Sequence, residues 1–269
     1  MRSAVINFFK SILIGASALI PGVSGGTMAI ALGVYDRLLR AVSRFKEDIR
    51  HNAAFLAVFG VGAAIGLLTL SGWVLWVFNT YRMPMIYLFI GCVFGSIPML
   101  FRRGGVSQIH ISDTFWVLAG YLCVTWVSQI PAGSCMVGSI YFLNFLMLMA
   151  AGVVIAIAFI LPGISTSYML LLLGIYDITL KAVQNWNFAF LAPMVLGVLV
   201  GTVITTRILE DALERYKKQT YMLIVGFVFG SVFEIIPGLP MGYDVIVCAL
   251  TFAAGFLAVK LILRYSEEF

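Results

Sequence analysis

The sequence predicts an all-α polytopic membrane protein built from two inverted-topology repeats, each a Pro-Gly broken or re-entrant helix hairpin plus three transmembrane helices. Three observations predict it. Of the 269 residues, 62% are hydrophobic and only 11% charged, with a mean hydropathy of +1.05. Soluble domains carry about 45–50% apolar and about 25% charged residues, so this chain cannot cover a soluble globule with polar surface. The apolar residues run in long unbroken stretches, which mark helices, whereas a membrane barrel alternates. Finally, a motif recurs: residues 21–42 read PGVSGGTMAIALGVYDRLLRAV and residues 162–183 read PGISTSYMLLLLGIYDITLKAV, identical at 11 of 22 positions at an offset of 141.

In chain order, a short apolar stretch (5–20) meets Pro21-Gly22, a cluster of small polar residues and a second short apolar run. Apolar stretches at 53–78, 84–101 and 113–130 follow, and after the second motif come 188–207, 220–236 and 245–263. Each is near the length of about 17–25 residues that crosses a bilayer. The stretch 141–161 precedes Pro162-Gly163 as 5–20 precedes the first Pro-Gly. Past the motif the register continues at an offset of 135: Phe55-Leu56-Ala57, Gly62 and Gly66 match Phe190-Leu191-Ala192, Gly197 and Gly201, and Val93-Phe94-Gly95-Ser96 matches Val228-Phe229-Gly230-Ser231. The chain divides into an N-terminal repeat, 1–135, and a C-terminal repeat, 136–269, together one transmembrane domain.

Each Pro-Gly unit is either a re-entrant hairpin, giving three crossings per half, or two full crossings, giving five. Both counts are odd, so the halves have opposite orientations. Of the 17 Lys and Arg, all but Arg82 and Lys181 fall on the side of the N-terminus. Cytoplasmic loops carry such an excess, so both termini are expected in the cytoplasm. The stretches 5–20 and 24–35 are short for spans, which favours re-entrant hairpins, while 141–161 is long enough to cross. Inverted repeats are a common build of secondary transporters, with the site near the midplane between the halves.

The motif suits an anion. Pro21 and Pro162 stop the preceding helix, and Gly22 and Gly163 allow the sharp turn. Ser24 and Ser165 stand where an N-cap belongs, and Gly25-Gly26 let backbone N–H groups approach a ligand closely. Free N–H groups at a helix start favour negative charge. Two such tips, converging from opposite faces, would add the hydroxyls of Ser24, Thr27, Ser165, Thr166 and Ser167. The candidate phosphate ligands are therefore Ser24, Gly25, Gly26, Thr27, Ser165, Thr166 and Ser167. The plainer reading is a pair of turns that merely end hairpins; duplication in an inverted repeat weighs against it.

Other residues read less sharply. Gly33 and Gly174 fit helix C-termini, and Asp36 and Asp177 fit caps of the next segment, with ion or proton coupling as their second reading. Tyr35 and Tyr176 read as interfacial anchors. Arg37 and Lys181 are candidate rim cations. Glu234 is the one acid in the apolar run from Gly226 to Pro237 and reads equally as functional or as reaching the interface. Gly62/Gly66 and Gly197/Gly201 read as close helix packing. The four cysteines have no paired spacing and no histidines beside them, so no disulfide framework and no metal site is expected.

On PGVSGGT at Pro21–Thr27, the Ala31-Leu32-Gly33-Val34-Tyr35 that follows, and the echo at Pro162-Gly163-Ile164-Ser165, the sequence resembles the polyprenyl-phosphate (undecaprenyl phosphate) transporter family over essentially its whole length. The resemblance implies a multi-pass protein of the bacterial cytoplasmic membrane that returns undecaprenyl phosphate from the periplasmic to the cytoplasmic leaflet, recycling the lipid carrier of peptidoglycan synthesis. Its implied partners are the polyprenyl-phosphate lipid and the bilayer, with no nucleic acid. No cofactor is implied, and a coupling proton or sodium ion is left unassigned, as is the oligomeric state. Undecaprenyl-diphosphate phosphatases share a Pro-Gly-x-Ser motif but continue it with Arg-Ser and carry paired glutamates on the preceding helix. Here Gly25-Gly26 and Thr166-Ser167 follow the serines, and no acid precedes Asp36. A transporter is thus expected, not an enzyme; a small-anion transporter fits the residues equally well without the resemblance.

Overall fold

The computed structural model describes residues 2–17, 25–106, 108, 110–129, 141–164, 166–236, 238 and 240–267. Among them every regular element is helical: α1 (Arg2–Ser17), α2 (Gly25–Ala31), α3 (Tyr35–Ser43), α4 (Ile49–Ile65), a π turn (Gly66–Leu70), α5 (Ser71–Thr80), α6 (Arg82–Arg103), α7 (Ile111–Ser128), α8 (Tyr141–Ile160), α9 (Thr166–Leu172), α10 (Tyr176–Gln184), α11 (Phe188–Arg215), α12 (Lys217–Ile235) and α13 (Asp244–Glu267). Five are long and apolar enough to cross a membrane: α4 with its π turn, α6, α7, α11 and α13. This is a polytopic membrane protein. The sixth expected span, 220–236, falls in the helix α12, which begins with Lys217 and Lys218 and is not one of those five. The expected span 53–78 is broken by the π turn at Gly66, where α1 comes so close that a methyl group would lie 2.0 Å from the Ile12 carbonyl oxygen.

Local chemistry places the breaks. Asp48 accepts from the His51 N–H (3.0 Å) at the start of α4, and Asn187 from the Phe190 N–H (3.3 Å) at the start of α11; such caps contribute about 1 kcal/mol each. Gly33 (φ +72°) and Gly174 (φ +69°) end α2 and α9 as expected. The Val34 N–H bonds Ala29 O and the Ile175 N–H bonds Leu170 O, the six-to-one bond of a glycine C-cap.

Packing is crosswise. α6 packs along α13 and α12 along α7, while α1 packs on α4 and α8 on α11. Closest approaches occur at glycines and recur with the numbers shifted. A methyl on Gly91 would lie 2.1 Å from Phe252 O, and one on Gly226 2.1 Å from Val117 O. Gly62 sits over Phe8 and Gly197 over Met149; Gly66 sits over Ile12 and Gly201 over Val153. These glycines act as the expected packing notches. The main core lies between α6 and α12, with Ile90, Val93, Ile224, Val225 and Val228 buried beside α2 and α3. Trp73, Trp76, Leu118, Leu122, Trp126, Leu196 and Leu199 are exposed, an apolar outer surface that suits lipid.

Candidate functional site

The start of α2, which follows the first Pro-Gly, meets the second Pro-Gly turn. Thr27, buried in the first turn of α2, accepts a hydrogen bond at Oγ1 from the Gly163 N–H at 3.1 Å. Gly163 takes φ +92°, a conformation that disfavours side chains, and a methyl there would lie 2.4 Å from Phe227 O. Pro162 is fully buried. Gly26 packs on the same turn: a methyl on it would touch Phe159 O, Ile160 O and the Pro162 Cα at 3.4 Å. Residue 161 leaves the helix at the proline, so Ile160 O needs another donor; the Tyr35 hydroxyl supplies it at 2.8 Å. Tyr35 is therefore no interfacial anchor, because it is buried in the core and ties α3 to the end of α8.

Beside Gly25 and Gly26 opens an apolar cavity of about 450 Å³ lined by Ile14, Leu38, Leu56, Phe59, Ala63 and Phe159, among others. Thr202 and Thr206 of α11 close one wall.

Of the expected ligands, the structure brings Gly25, Gly26 and Thr27 to the second Pro-Gly turn, and Thr166 opens α9 just past it. Pro21, Gly22, Ser24 and Ser165 lie outside the described residues, as do the side chains of Ser167, Asp177 and Glu234. Arg37 is engaged elsewhere: its Nη2 lies 3.3 Å from His51 Nε2 and its guanidinium 4.4 Å above the Phe55 ring. Lys181 is exposed in the last turn of α10.

Asp36 differs from its expected capping role. It sits inside the first turn of α3, whose start has no side-chain cap, and its carboxylate reaches across the bundle. Its Oδ2 accepts from Arg103 Nη1 of α6 and from the Tyr221 hydroxyl of α12 (2.7 Å). Two turns on, at the end of α3, Arg44 Nε lies 2.6 Å from Glu210 Oε1 of α11, Ser43 donates to Glu210 Oε2, and Arg44 also pairs with Glu214. Glu210, then Glu214, raise the Arg44 pKa further above its ordinary value, so the guanidinium stays charged. These contacts join α3 to α6, α11 and α12 at one end of the bundle.

Sequence reasoning missed the inner face of α1. Asn7, Lys10 and Ser17 are buried there with Ile14. They recur at three- and four-residue steps along the helix, the signal that would have singled them out; by sequence Lys10 reads only as a topology charge.

The profile of a family described as VCA0040-like, undecaprenyl phosphate translocase-like, matches residues 14–242. The chain belongs to this family. It is 31% identical over 276 residues to a protein of Staphylococcus aureus named polyprenyl-phosphate transporter, covering 98% of this chain and 97% of that one. A Vibrio cholerae protein of the same name is 28% identical over 244 residues, covering 86% of this chain and 77% of its own length. No solved structure matches the chain. Within the family's matched region lie both Pro-Gly units, the cavity and the ion pairs of Asp36 and Arg44.

Proposed function

We propose that the chain carries undecaprenyl phosphate from the periplasmic to the cytoplasmic leaflet of the bacterial cytoplasmic membrane, returning the lipid carrier to envelope synthesis, and that it is a transporter without enzymatic activity. The observation that carries this reading is the junction of Thr27 with Gly163 beside an apolar cavity. A lipid phosphate needs polar groups for its head next to an apolar path for its tail, and the two adjoin here. In this reading Ser24, Gly25, Gly26, Thr27, Ser165, Thr166 and Ser167 bind the phosphate, Thr27 keeping its O–H to donate while its oxygen accepts from Gly163. The prenyl chain lies in the cavity and leaves sideways into lipid.

The halves 1–135 and 136–269 act as inverted repeats with re-entrant hairpins and both termini in the cytoplasm. Crosswise pairing of α6 with α13 and of α12 with α7, with matching glycine contacts, supports a two-fold relation between them. The ion-paired end, where Arg40, Arg44 and Arg103 gather, then faces the cytoplasm and is closed. α3 packs on α11 there, whereas among the described residues α10 makes no comparable contact with α4 at the other end. Such inequality between repeats is what alternating access requires.

The test uses purified protein in liposomes containing undecaprenyl phosphate. Headgroup movement between leaflets is followed while phosphate release from undecaprenyl diphosphate is assayed in parallel. Movement without release is expected. Release would make the protein a phosphatase, and neither result would turn the assignment toward a small anion.

A further inference from the structure

We propose that a second apolar groove, on the other side of α8 and α11 from the cavity described above, seats the prenyl chain while the lipid leaves toward the ion-paired end of the bundle. The proposal rests on the transport reading and adds a second chain site to it.

The groove, about 630 Å³, lies between α7, α8, α11 and α12 and is lined by Trp116, Ile157, Leu161, Ile208, Ala212 and Leu223, among others. The end of α8 parts the two spaces, with Phe159 and Ile160 on the first cavity and Ile157 and Leu161 on the groove. α11 parts them again, with Thr202 and Thr206 on the first cavity and Thr205 and Leu209 on the groove. Trp116, Ile208 and Tyr216 are exposed, so the groove opens on the apolar outer surface. The Thr220 hydroxyl in its wall is already engaged, donating to the carbonyl oxygens of Ala212 (3.0 Å) and Tyr216 (2.9 Å).

Its length and ends fit a chain in one leaflet. Along α11 the groove runs from Thr205 to Tyr216, about 16 Å of helix, close to half of a hydrocarbon core about 30 Å thick. One end is polar: Tyr216 and Gln219 line it, and next to Gln219 the Lys218 Nζ lies 2.7 Å from Asp113 Oδ2, one turn before Trp116 on α7. Tyrosines and basic residues mark the level of the headgroups. The other end is Leu161, which leads into Pro162 and Gly163, whose N–H bonds Thr27. The groove thus runs from the second Pro-Gly turn to the ion-paired surface of the bundle.

An unfilled apolar groove forfeits dispersion contacts, so a hydrocarbon chain fills it. Its inner end at the Pro-Gly turn favours the chain of the transported lipid over that of a phospholipid, whose head stays at the surface. The equivalent places in the first half hold bulkier side chains, Trp73 for Ile208 and Val77 for Ala212. The room at this end is therefore no by-product of the duplication.

The test gives the full chain, in liposomes, a polyprenyl phosphate with a photoreactive diazirine on its chain, and maps the adducts by peptide mass spectrometry. Adducts are expected on Ile157, Ile208 and Leu223 of the groove as well as on Leu56 and Phe59 of the first cavity. Excess undecaprenyl phosphate should displace both sets, and phosphatidylglycerol neither. Ile208→Trp and Ala212→Trp, which fill the groove, should slow headgroup movement several-fold while the first cavity is still labelled. Leu199→Trp, at an exposed site of α11 outside both spaces, should move lipid at the wild-type rate. Ile208 is exposed, so its variant decides the matter even if Ala212→Trp fails to fold. Adducts confined to the first cavity, groove adducts displaced by phosphatidylglycerol, or wild-type movement in Ile208→Trp overturns the groove and leaves the transport reading standing. Adducts that undecaprenyl phosphate displaces from neither space overturn both.

Discussion

Helices α1 and α8 stand 141 residues apart in equivalent settings, one packed on α4 and the other on α11, yet their inner faces differ in kind. α1 buries Asn7, Lys10, Ser11 and Ser17; α8 buries Leu148, Ala151, Gly152 and Ala158 at the same places. The ends of the bundle differ in the same sense. Around α3 the carboxylates of Asp36, Glu210 and Glu214 meet Arg44 and Arg103, whereas the residues equivalent to Arg44, Glu210 and Glu214 are Asn185, Leu75 and Asn79. What the two regions share is therefore backbone geometry: the glycine notches and the glycine caps at Gly33 and Gly174. What separates them is charge. A repeated backbone can hold two helices in one arrangement while, among the described residues, only one of them buries polar and charged side chains.

The largest expected effect tests the shared part. Gly91→Leu and Gly226→Leu each push a side chain into backbone 2.1 Å from the new Cβ, and carbonyl groups cannot yield as a flexible side chain would. Overpacking costs about 1–3 kcal/mol and more where nothing can move, so both variants should lose most of their folded yield, and by similar amounts. Gly72→Leu, which meets open space, should fold normally. Thermal unfolding in detergent with size-exclusion profiles checks this. Unequal losses at Gly91 and Gly226 would break the equivalence of the two interfaces.

The shared part is also what could be read from the sequence. Apolar run lengths placed α6, α7, α11 and α13, the recurring Leu-Gly-Val/Ile-Tyr-Asp placed the ends of α2 and α9, and the repeated small residues marked the close contacts, because each of these is a local property of the chain. The unshared part was hidden because it is made by groups far apart in sequence. Asp36 looked like a local cap, since nothing near it announces Arg103 or Tyr221, 67 and 185 residues away. Tyr35 looked like an interfacial residue because its partner, Ile160 O, exists only once Pro162 has broken α8. The meeting of Thr27 with Gly163 was anticipated in outline, from the two motifs, but not which atoms would touch.

An intermediate effect tests the charged end. Glu210 is buried to 7% exposure and joins Ser43 and Arg44 of the first half to α11. Glu210→Gln removes the charge and keeps the shape. A hydrogen bond to a charged partner is worth about 1.5–3 kcal/mol when buried; Arg44 is partly exposed, so about 1–2 kcal/mol is expected. The equivalent Leu75→Met, an apolar exchange of similar volume, should cost under about 1 kcal/mol. Denaturation in detergent measures both. If Glu210→Gln is as mild as Leu75→Met, the ion pairs do not hold that end closed.

The smallest effect separates the two tyrosines of the repeated motif. Tyr35→Phe removes one hydroxyl and leaves the Ile160 carbonyl, at the break in α8, without its donor. Losing one partner of a buried hydrogen bond costs about 1–3 kcal/mol, and the low end applies because a carbonyl left by a broken helix tolerates loss better than an N–H does. Tyr176 is only half-buried in the equivalent position, so Tyr176→Phe should change stability by no more than about 0.5 kcal/mol. The comparison also bears on the junction of the Pro-Gly units, because Ile160 O lies next to Gly26. Loosening it through Tyr35→Phe should slow lipid movement in liposomes more than Tyr176→Phe does. Equal rates in the two variants would mean that the break in α8 is held by the Thr27–Gly163 bond alone, and that Tyr35 serves only the packing of α3.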